Sequence, residues 1–386
     1  MIKGLFISNI DDRVVRGYAP KIFGQVQAFI SAGFVMTLLR FTNGHIAVRT
    51  GDGNTILKQP DKILNKIGSA IGKRIQLFAC SFQMLKSDSF DFVYIRYTPF
   101  DPFLIIFLLL VRIKHRTALN IIMEIPTYPY DKQYLSTGVI SFSALQLFID
   151  FTCRHLLCYL INRFVVVNCT LNRVFGVPVT SINNGVNIED FSLTGNLGRV
   201  GQPVCLVYVG NAGVWHGLDR LIVGLSTYYT NHNDSNKLKV RLIIVGGGQT
   251  NETRTLSSKY GMQDYVSFVG PRDGVELDEI MQLATVGVGV LASHRLSLEL
   301  FSPLKHREYC ARGLPFIYDG NDDGFLDVEF AMSVGMCDDP IDIDNVVSFA
   351  EKLRCESEMP QKIRAHAERD FGWSGVMSEV ISSIRE

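Results

Sequence analysis

"VCLVYVGNAGVWHGLDRLIVGLSTYY", residues 204–229, decides the fold. Its first six residues are apolar and rich in Val, which reads as a buried strand stopping at Gly210. A glycine-containing loop follows, and the apolar spacing then changes to that of a helix from Gly217 to Tyr229. The pattern recurs downstream: a strand Val240–Val245 closes on Gly246-Gly247-Gly248, and a helix is expected over 251–260. A strand Tyr265–Val269 ends at Gly270, a helix covers 275–283, and strands Val286–Leu291 and Pro315–Tyr318 complete the series. Strands alternating with helices indicate a parallel sheet. The first half reads the same way, with a strand over 2–8, a polar loop 9–16 ending at Gly17, a helix over 20–32 and a strand over 34–39. Further strands are expected at 91–95, 119–124 and 164–167.

The expected fold class is therefore α/β, with two Rossmann-like parallel-sheet domains facing each other across a cleft. An N-terminal domain is placed at 1–190 and a C-terminal domain at 203–386, with a hinge at about 190–202. The last helices, over 344–354 and 360–384, are candidates to cross back over that hinge. Ligands of such sheets bind beyond the carboxyl ends of the strands. Gly210, Gly246, Gly248 and the Gly270-Pro271-Arg272 step lie at those ends, where glycine lets a ligand approach the backbone.

Composition is that of a globular protein, 47% apolar and 20% charged, with zero formal net charge. Residues 1–190 nevertheless carry 20 Lys and Arg against 12 Asp and Glu, or +8, and residues 191–386 carry 18 against 26, or −8. A neutral total argues against a nucleic-acid binder, and a basic first half fits a domain resting on an anionic membrane surface. Eight cysteines without a framework spacing point to a reducing compartment. The opening residues turn polar too soon for a signal segment, so a cytoplasmic location is expected, peripheral at the inner face of the cell membrane. The apolar run Phe103–Val111 is too short for the roughly 20 residues that a span requires. With Arg112, Lys114, His115 and Arg116 after it, it reads either as a buried helix or as one inserting into a membrane surface with snorkelling bases. The segment Phe142–Ile161 carries the same two readings.

"SPLKHREYCARGLPFIYD", residues 302–319, holds the chemistry. Ser302 suits an N-cap, Pro303 the first helical position and Gly313 the helix end. Leu304, Glu308 and Ala311 then form one stripe at i, i+4 and i+7, with a carboxylate in the middle of a face expected to be buried. A helix start with Lys305 in its first turn suits a phosphate. One turn deeper, Glu308 suits the hydroxyls of a ribose. The bland alternative is an i, i+4 salt bridge from Glu308 to Arg312.

This helix resembles the donor-site helix of family 4 retaining glycosyltransferases, which have the GT-B fold. "VYVGNAGVWHGLDRLI", "SINNGVNIEDF" (181–191) and "RDFGWSGV" (from Arg369) are similar to further segments of that family, so the likeness covers the whole chain. The resemblance implies a nucleotide-diphosphate sugar donor bound by Gly17, Gly210, Asn211, His216, Gly246, Gly248, Arg272, Ser302, Pro303, Leu304, Lys305 and Glu308. It implies no metal and no cofactor beyond the donor substrate. Lys305, Glu308 and Glu124 are the catalytic candidates. Tyr128, Tyr130 and Asp131, in the stiff loop after the strand carrying Glu124, are the acceptor-binding candidates. Three positions depart from the family pattern: Leu300, beside Glu299, stands where an acid is usual, and Asn211 and His216 stand where an Arg and a Lys commonly meet the diphosphate. The implied activity is sugar transfer with retention to a glycan acceptor, lipid-linked, in surface polysaccharide or lipopolysaccharide biosynthesis. A nucleotide-sugar epimerase of the same fold and a catalytically silent sugar-nucleotide binder are the alternatives. The Gly246-Gly247-Gly248 run lacks the third glycine and the acid of a dinucleotide fingerprint.

Overall fold

The structure, a computed structural model, describes residues 1–386 other than 12–18, 43, 51–54, 59–68, 98–101, 131–139, 195–196, 231–236, 249 and 297–299. The chain forms two compact units. One comprises Met1–Gly185 with Trp373–Glu386, the other Val186–Gly372. The second unit is closed where the chain enters and leaves it. The Val186 N–H donates to the Phe371 carbonyl (2.8 Å), and Val186 and Gly372 pair as a parallel bridge. The segment expected as a hinge is bonded to this second unit: the Thr194 N–H donates to the Arg312 carbonyl (2.7 Å), and Arg354 donates to the Leu197 carbonyl (2.9 Å). The helix expected over 360–384 is interrupted at Phe371-Gly372. Its first part, Met359–Asp370, lies in the second unit, whereas Trp373–Val376 and Ser378–Arg385 lie in the first.

The first unit is built on β1 (Lys3–Asp11), β2 (Val35–Thr42), β3 (His45–Thr50), β4 (Thr55–Lys58), β5 (Phe92–Arg96), β6 (Asn120–Ile125), β7 (Arg163–Val167), β8 (Arg173–Val174) and β9 (Val177–Ile182). They form one sheet in the order β4-β3-β2-β1-β5-β6-β7-β9-β8. The run from β2 to β9 is parallel, as the sequence pattern predicts for β1, β2, β5, β6 and β7; β9 is not among the expected strands, and both edges are antiparallel. The edge hairpins escape the sequence pattern because their strands are short or polar. β8 and β9 turn through Phe175 and Gly176, both at positive φ, as a two-residue hairpin requires. On one face of this sheet the helices Ser69–Ser87, Pro102–His115 and Leu157–Leu160 bury Leu77, Phe107, Leu108 and Leu160. On the other face the helix Ala19–Ser31 and the C-terminal helices bury Phe29, Trp373, Met377 and Val380. Gly24 admits the indole of Trp373: a Cβ there would stand 2.0 Å from Trp373 Cδ1.

The second unit uses β10 (Val204–Val209), β11 (Val240–Val245), β12 (Val266–Gly270), β13 (Val286–Val288), β14 (Phe316–Tyr318) and β15 (Ala331–Ser333). All are parallel, in the order β12-β11-β10-β13-β14-β15. Counted within the unit this is 3-2-1-4-5-6, the doubly wound order whose direction reverses between the first and fourth strands.

Trp373 ties the far end of the chain into the first unit's core. Trp373→Ala should destabilise that unit by about 3 to 5 kcal/mol, the range for emptying a large aromatic site. The check is a urea titration in which the transition of the first unit moves to lower midpoint while that of the second stays in place.

Candidate functional site

The reversal point of the second sheet lies between β10 and β13, and the elements around it are packed backbone to backbone. Gly210, at the end of β10, has φ +139°. A Cβ on Gly246, at the end of β11, would stand 2.0 Å from the Gly210 carbonyl oxygen. Both positions therefore require glycine. The loops continue in contact, with the Ala212 N–H donating to the Gly247 carbonyl at 2.8 Å and Ala212 bridging Gly248.

The helix Leu304–Ala311 stands over these strand ends. Its start differs from the sequence expectation. Pro303 is the N-cap, in extended conformation (ψ 133°) and without a side-chain cap, and Ser302 lies buried one residue earlier. The end is as expected, with Gly313 at φ +69°. The buried face is not the Leu304–Glu308–Ala311 stripe either. His306, Arg307, Tyr309, Cys310 and Ala311 are buried, whereas Leu304 and Glu308 are half-buried.

That buried face is polar because it is bonded. The His306 Nε2 accepts from the Val290 N–H (3.0 Å), and its Nδ1 contacts Asp322 Oδ2 (2.8 Å). Burial lowers the His306 pKa, partly offset by Asp322, so the ring is neutral with its proton on Nδ1. Arg307, fully buried, forms a two-pronged pair with Asp322, one arm at 2.8 Å. Burial pushes the Asp322 carboxyl up, but Arg307 and His306 prevail and hold it low. The Tyr309 hydroxyl accepts from the Val209 N–H (3.2 Å) and reaches the Val288 carbonyl (3.1 Å), bridging β10 and β13 at the reversal point. Three side chains thus fix this helix to the sheet. The acidic turn 319–323 supplies one of the partners. None of His306, Tyr309 or Asp322 was singled out by sequence pattern, although two bases side by side in a helix over a sheet call for a buried acid nearby.

Lys305 and Glu308 are the charges left over. The Lys305 Nζ is buried, has no hydrogen-bond partner among the described residues, and lies 3.9 Å from the centroid of the Tyr208 ring. A Cβ on Gly210 would stand 3.3 Å from it. Burial pushes its pKa down to about 7, against the pull of Glu308. Burial likewise raises the Glu308 pKa, opposed by Arg312 and Lys305. Among the described residues no hydrogen bond or ion pair reaches the Glu308 carboxylate. The salt bridge weighed for it does not form, because Arg312 pairs with Asp278 at 2.6 Å. Lys305 and Glu308, three residues apart, share one side of the helix.

His216 joins this group through the same tyrosine: its ring is edge-on to Tyr208 at 5.5 Å. Its Nδ1 accepts from the Gly213 N–H (2.9 Å), and burial together with the Lys305 charge depresses its pKa well below the usual value. In place of the positive charge usual at this position, the ring is neutral and offers an Nε2–H donor. Arg220, also buried, spans the carbonyls of Val334, Gly335 and Asp339 and holds the loops behind this point. Asn211 is exposed beside Gly247. Arg272 is exposed and pairs with its own helix neighbour Glu276 at 3.3 Å, so it is not drawn into the cluster. Leu300 is half-buried, and Gly17, Asp131 and Glu299 lie outside the described residues.

In the first unit the acceptor candidates are bonded inward. Glu124 is fully buried at the end of β6. Its Oε1 meets Lys21 Nζ (2.8 Å) and Arg96 (3.5 Å), and its Oε2 accepts from Gln25 (2.7 Å) and from the Tyr94 hydroxyl (2.9 Å). Lys21 also donates to Asn184 Oδ1 (2.7 Å), one residue from where the chain leaves this unit. Burial raises the carboxyl, but Lys21 and Arg96 outweigh it and bring Glu124 to about 2. A general base requires an accessible lone pair and a pKa near the working pH. Four donors and that low pKa give Glu124 the role of an anchor for Lys21 and Arg96. Tyr130 is 3% exposed and donates to Asp150 Oδ2 at 2.6 Å, so its ring is not offered to a sugar, whereas Tyr128 is half-buried against Tyr130 and Phe175. No group of three or more His, Cys, Asp or Glu able to hold a metal occurs among the described residues.

Solved structures share this architecture over the full length of the chain. Sucrose-phosphate synthase from Thermosynechococcus elongatus aligns with a TM-score of 0.65 at 14% identity, covering 100% of this chain and 98% of that one. The chain has the GT-B fold. Similar GT-B structures include the catalytic domain of starch synthase IV from Arabidopsis thaliana, bound to ADP and acarbose (TM-score 0.64, 9% identity, 100% and 99% covered). They also include WaaG, a glycosyltransferase involved in lipopolysaccharide biosynthesis (0.58, 12%, 100% and 99%). No protein-family model matches the sequence, and no curated protein matches it. At such identities the likeness is one of GT-B fold, and the side chains at the reversal point carry any statement about chemistry.

Glu124→Ala should destabilise the first unit by about 3 to 5 kcal/mol, because it strands two buried cations, and Glu124→Gln should recover part of this. The stabilisation from the wild-type carboxylate should be complete above pH 4.5, its ordinary value, and disappear as pH falls through about 2. Denaturant titrations of both variants across that window test it.

Proposed function

We propose that this protein is a retaining glycosyltransferase of the family 4 type, moving a sugar from a nucleoside-diphosphate donor to a lipid-linked glycan in surface polysaccharide or lipopolysaccharide assembly at the inner face of the cell membrane. One observation carries the reading. On a helix whose other polar side chains are all engaged, a buried ammonium and a carboxylate have no bonded partner among the described residues, over the reversal point of a doubly wound sheet. An unpaired buried charge is costly, and a ligand bearing an anion and vicinal hydroxyls satisfies both groups at once.

The roles follow from position. Lys305 meets the diphosphate where negative charge grows as the sugar bond breaks, and preorganised charge of this kind is a large contribution to rate. Glu308 accepts two ribose hydroxyls. Neutral His216 donates from Nε2 to the donor. A departing phosphate oxygen takes the acceptor's proton on the same face, so no side-chain base is needed for retention. Fold likeness to WaaG and to an ADP-bound starch synthase supports the donor class.

A thermal-shift panel of nucleoside diphosphates should give a shift for one base, since a ligand that binds only the folded protein raises its stability. Glu308→Ala should weaken that binding about 10- to 100-fold, the range for a hydrogen bond to a charged group. An unchanged shift would remove Glu308 from the site. Transfer or donor hydrolysis by the purified protein separates the enzyme from a silent binder.

The pH dependence has a definite sign. With the free Lys305 at about 7, diphosphate affinity should be level below that pH and fall by up to about tenfold per unit above it. Lys305→Arg, which stays charged, should make the profile flat. Titration calorimetry between pH 6 and 9 checks both.

A further inference from the structure

The helix Pro102–His115 is apolar on two sides. Leu104, Phe107, Leu108 and Val111, at i, i+3, i+4 and i+7, are buried against the sheet. Ile106, Leu109, Leu110 and Ile113 repeat the same spacing on the outer side and are 52%, 45%, 43% and 76% exposed. A helix apolar all round belongs in a core or in lipid. This one is half in a core, and none of the described helices is long and apolar enough to cross a membrane. Its 14 residues reach about 21 Å.

A second stretch extends the surface. Phe148, Phe151, Leu156 and Tyr159 are 67%, 58%, 46% and 81% exposed. The two stretches are joined, because Arg112 on the first donates to the Leu160 carbonyl (2.8 Å) and to Asn162 (2.6 Å) on the second. Lys114, Arg116 and Arg173 are exposed bases in the same region. Among the described residues from 102 to 175 the acids are Glu124 and Asp150, at 0% and 2% exposure. Among the described residues of 102–175 the surface is thus apolar with a basic border and carries no exposed acid.

We infer that this face of the first unit inserts part-way into an anionic lipid bilayer, with the outer stripe of helix 102–115 and the Phe148–Tyr159 stretch in the headgroup and upper acyl region and the bases on lipid phosphates. Charge decides the occupant. A second copy docked by a twofold axis would set this border against itself, whereas anionic headgroups complement it. The inference deepens the reading of a lipid-linked acceptor and rests on it for its purpose, while the residues involved are separate from the donor-site group.

The test is sedimentation of the full chain with vesicles of phosphatidylcholine alone or mixed with phosphatidylglycerol. Wild type should sediment with the mixed vesicles and much less with the neutral ones, and added salt should weaken binding without abolishing it. Ile113→Asp with Phe148→Asp should lower partitioning at least tenfold, and Lys114→Glu with Arg116→Glu about tenfold or more. Both double variants should keep the wild-type nucleotide thermal shift, which shows that they are folded. Wild type left in the supernatant with mixed vesicles, or Asp variants that sediment like wild type, would overturn the inference. So would a wild-type dimer that the Asp variants convert to monomer without any vesicle binding. Loss of the nucleotide shift in wild type, with vesicle binding intact, would instead count against the donor site.

Discussion

An ammonium buried against a tyrosine ring, with no anion bonded to it among the described residues, is the constraint around which the second unit is arranged. Among the described residues Lys305 bonds to no partner, Glu308 included, and its ammonium lies against the Tyr208 ring. Its helix is held by His306 on the chain after β13, by Arg307 on Asp322 and by Tyr309 on the backbones of β10 and β13. With three of its side chains bonded, the helix holds the backbone of Lys305 at a set place beside β10. A pKa brought down to about 7 is the visible result.

The same rigidity explains why glycine recurs at the strand ends. Gly210 and Gly246 touch, and Gly289 leaves room for the His306 ring: a Cβ there would stand 2.4 Å from His306 Nε2. A doubly wound sheet provides an opening at its reversal point, and these contacts keep it narrow enough for a backbone to face a ligand. In the first unit, burial is used in the opposite way. Glu124 is surrounded by donors until nothing is left unsatisfied, and its charge serves to hold Lys21 and Arg96.

Much of this was legible from residue order. Parallel strands 1, 2, 5, 6 and 7 and every strand of the second sheet except β15 follow from apolar runs, those of the second sheet ending at or close to a glycine, because a strand buried on both faces has little choice of residue; β9, with Pro178, Thr180 and Ser181 in it, does not. The edge strands did not, since an edge carries polar residues and looks like loop. An Asn-Gly step at 43–44 was the available hairpin signal. Among the site residues, spacing marks Lys305 and Glu308 as neighbours. It cannot distinguish an engaged charge from an idle one: Arg312 finds Asp278 and Glu124 finds Lys21 across long stretches of chain, and only coordinates reveal such partners. Helix 102–115 shows the same limit. Its all-round apolarity was plain in the sequence, but which half faced outward depended on the sheet beneath it.

The crossing of the chain back into the first unit at Trp373 bears on how the molecule is made. The first unit lacks one of its covering layers until the ribosome has added the whole of the second. Synthesis normally lets an N-terminal domain fold first. Here the intervening 186–372 can reach its final form before Trp373 arrives to fill the space beside Gly24. The earlier-made half is therefore the later to mature, and the nascent chain carries an apolar face, covered only in part by helix Ala19–Ser31, that chaperones can recognise.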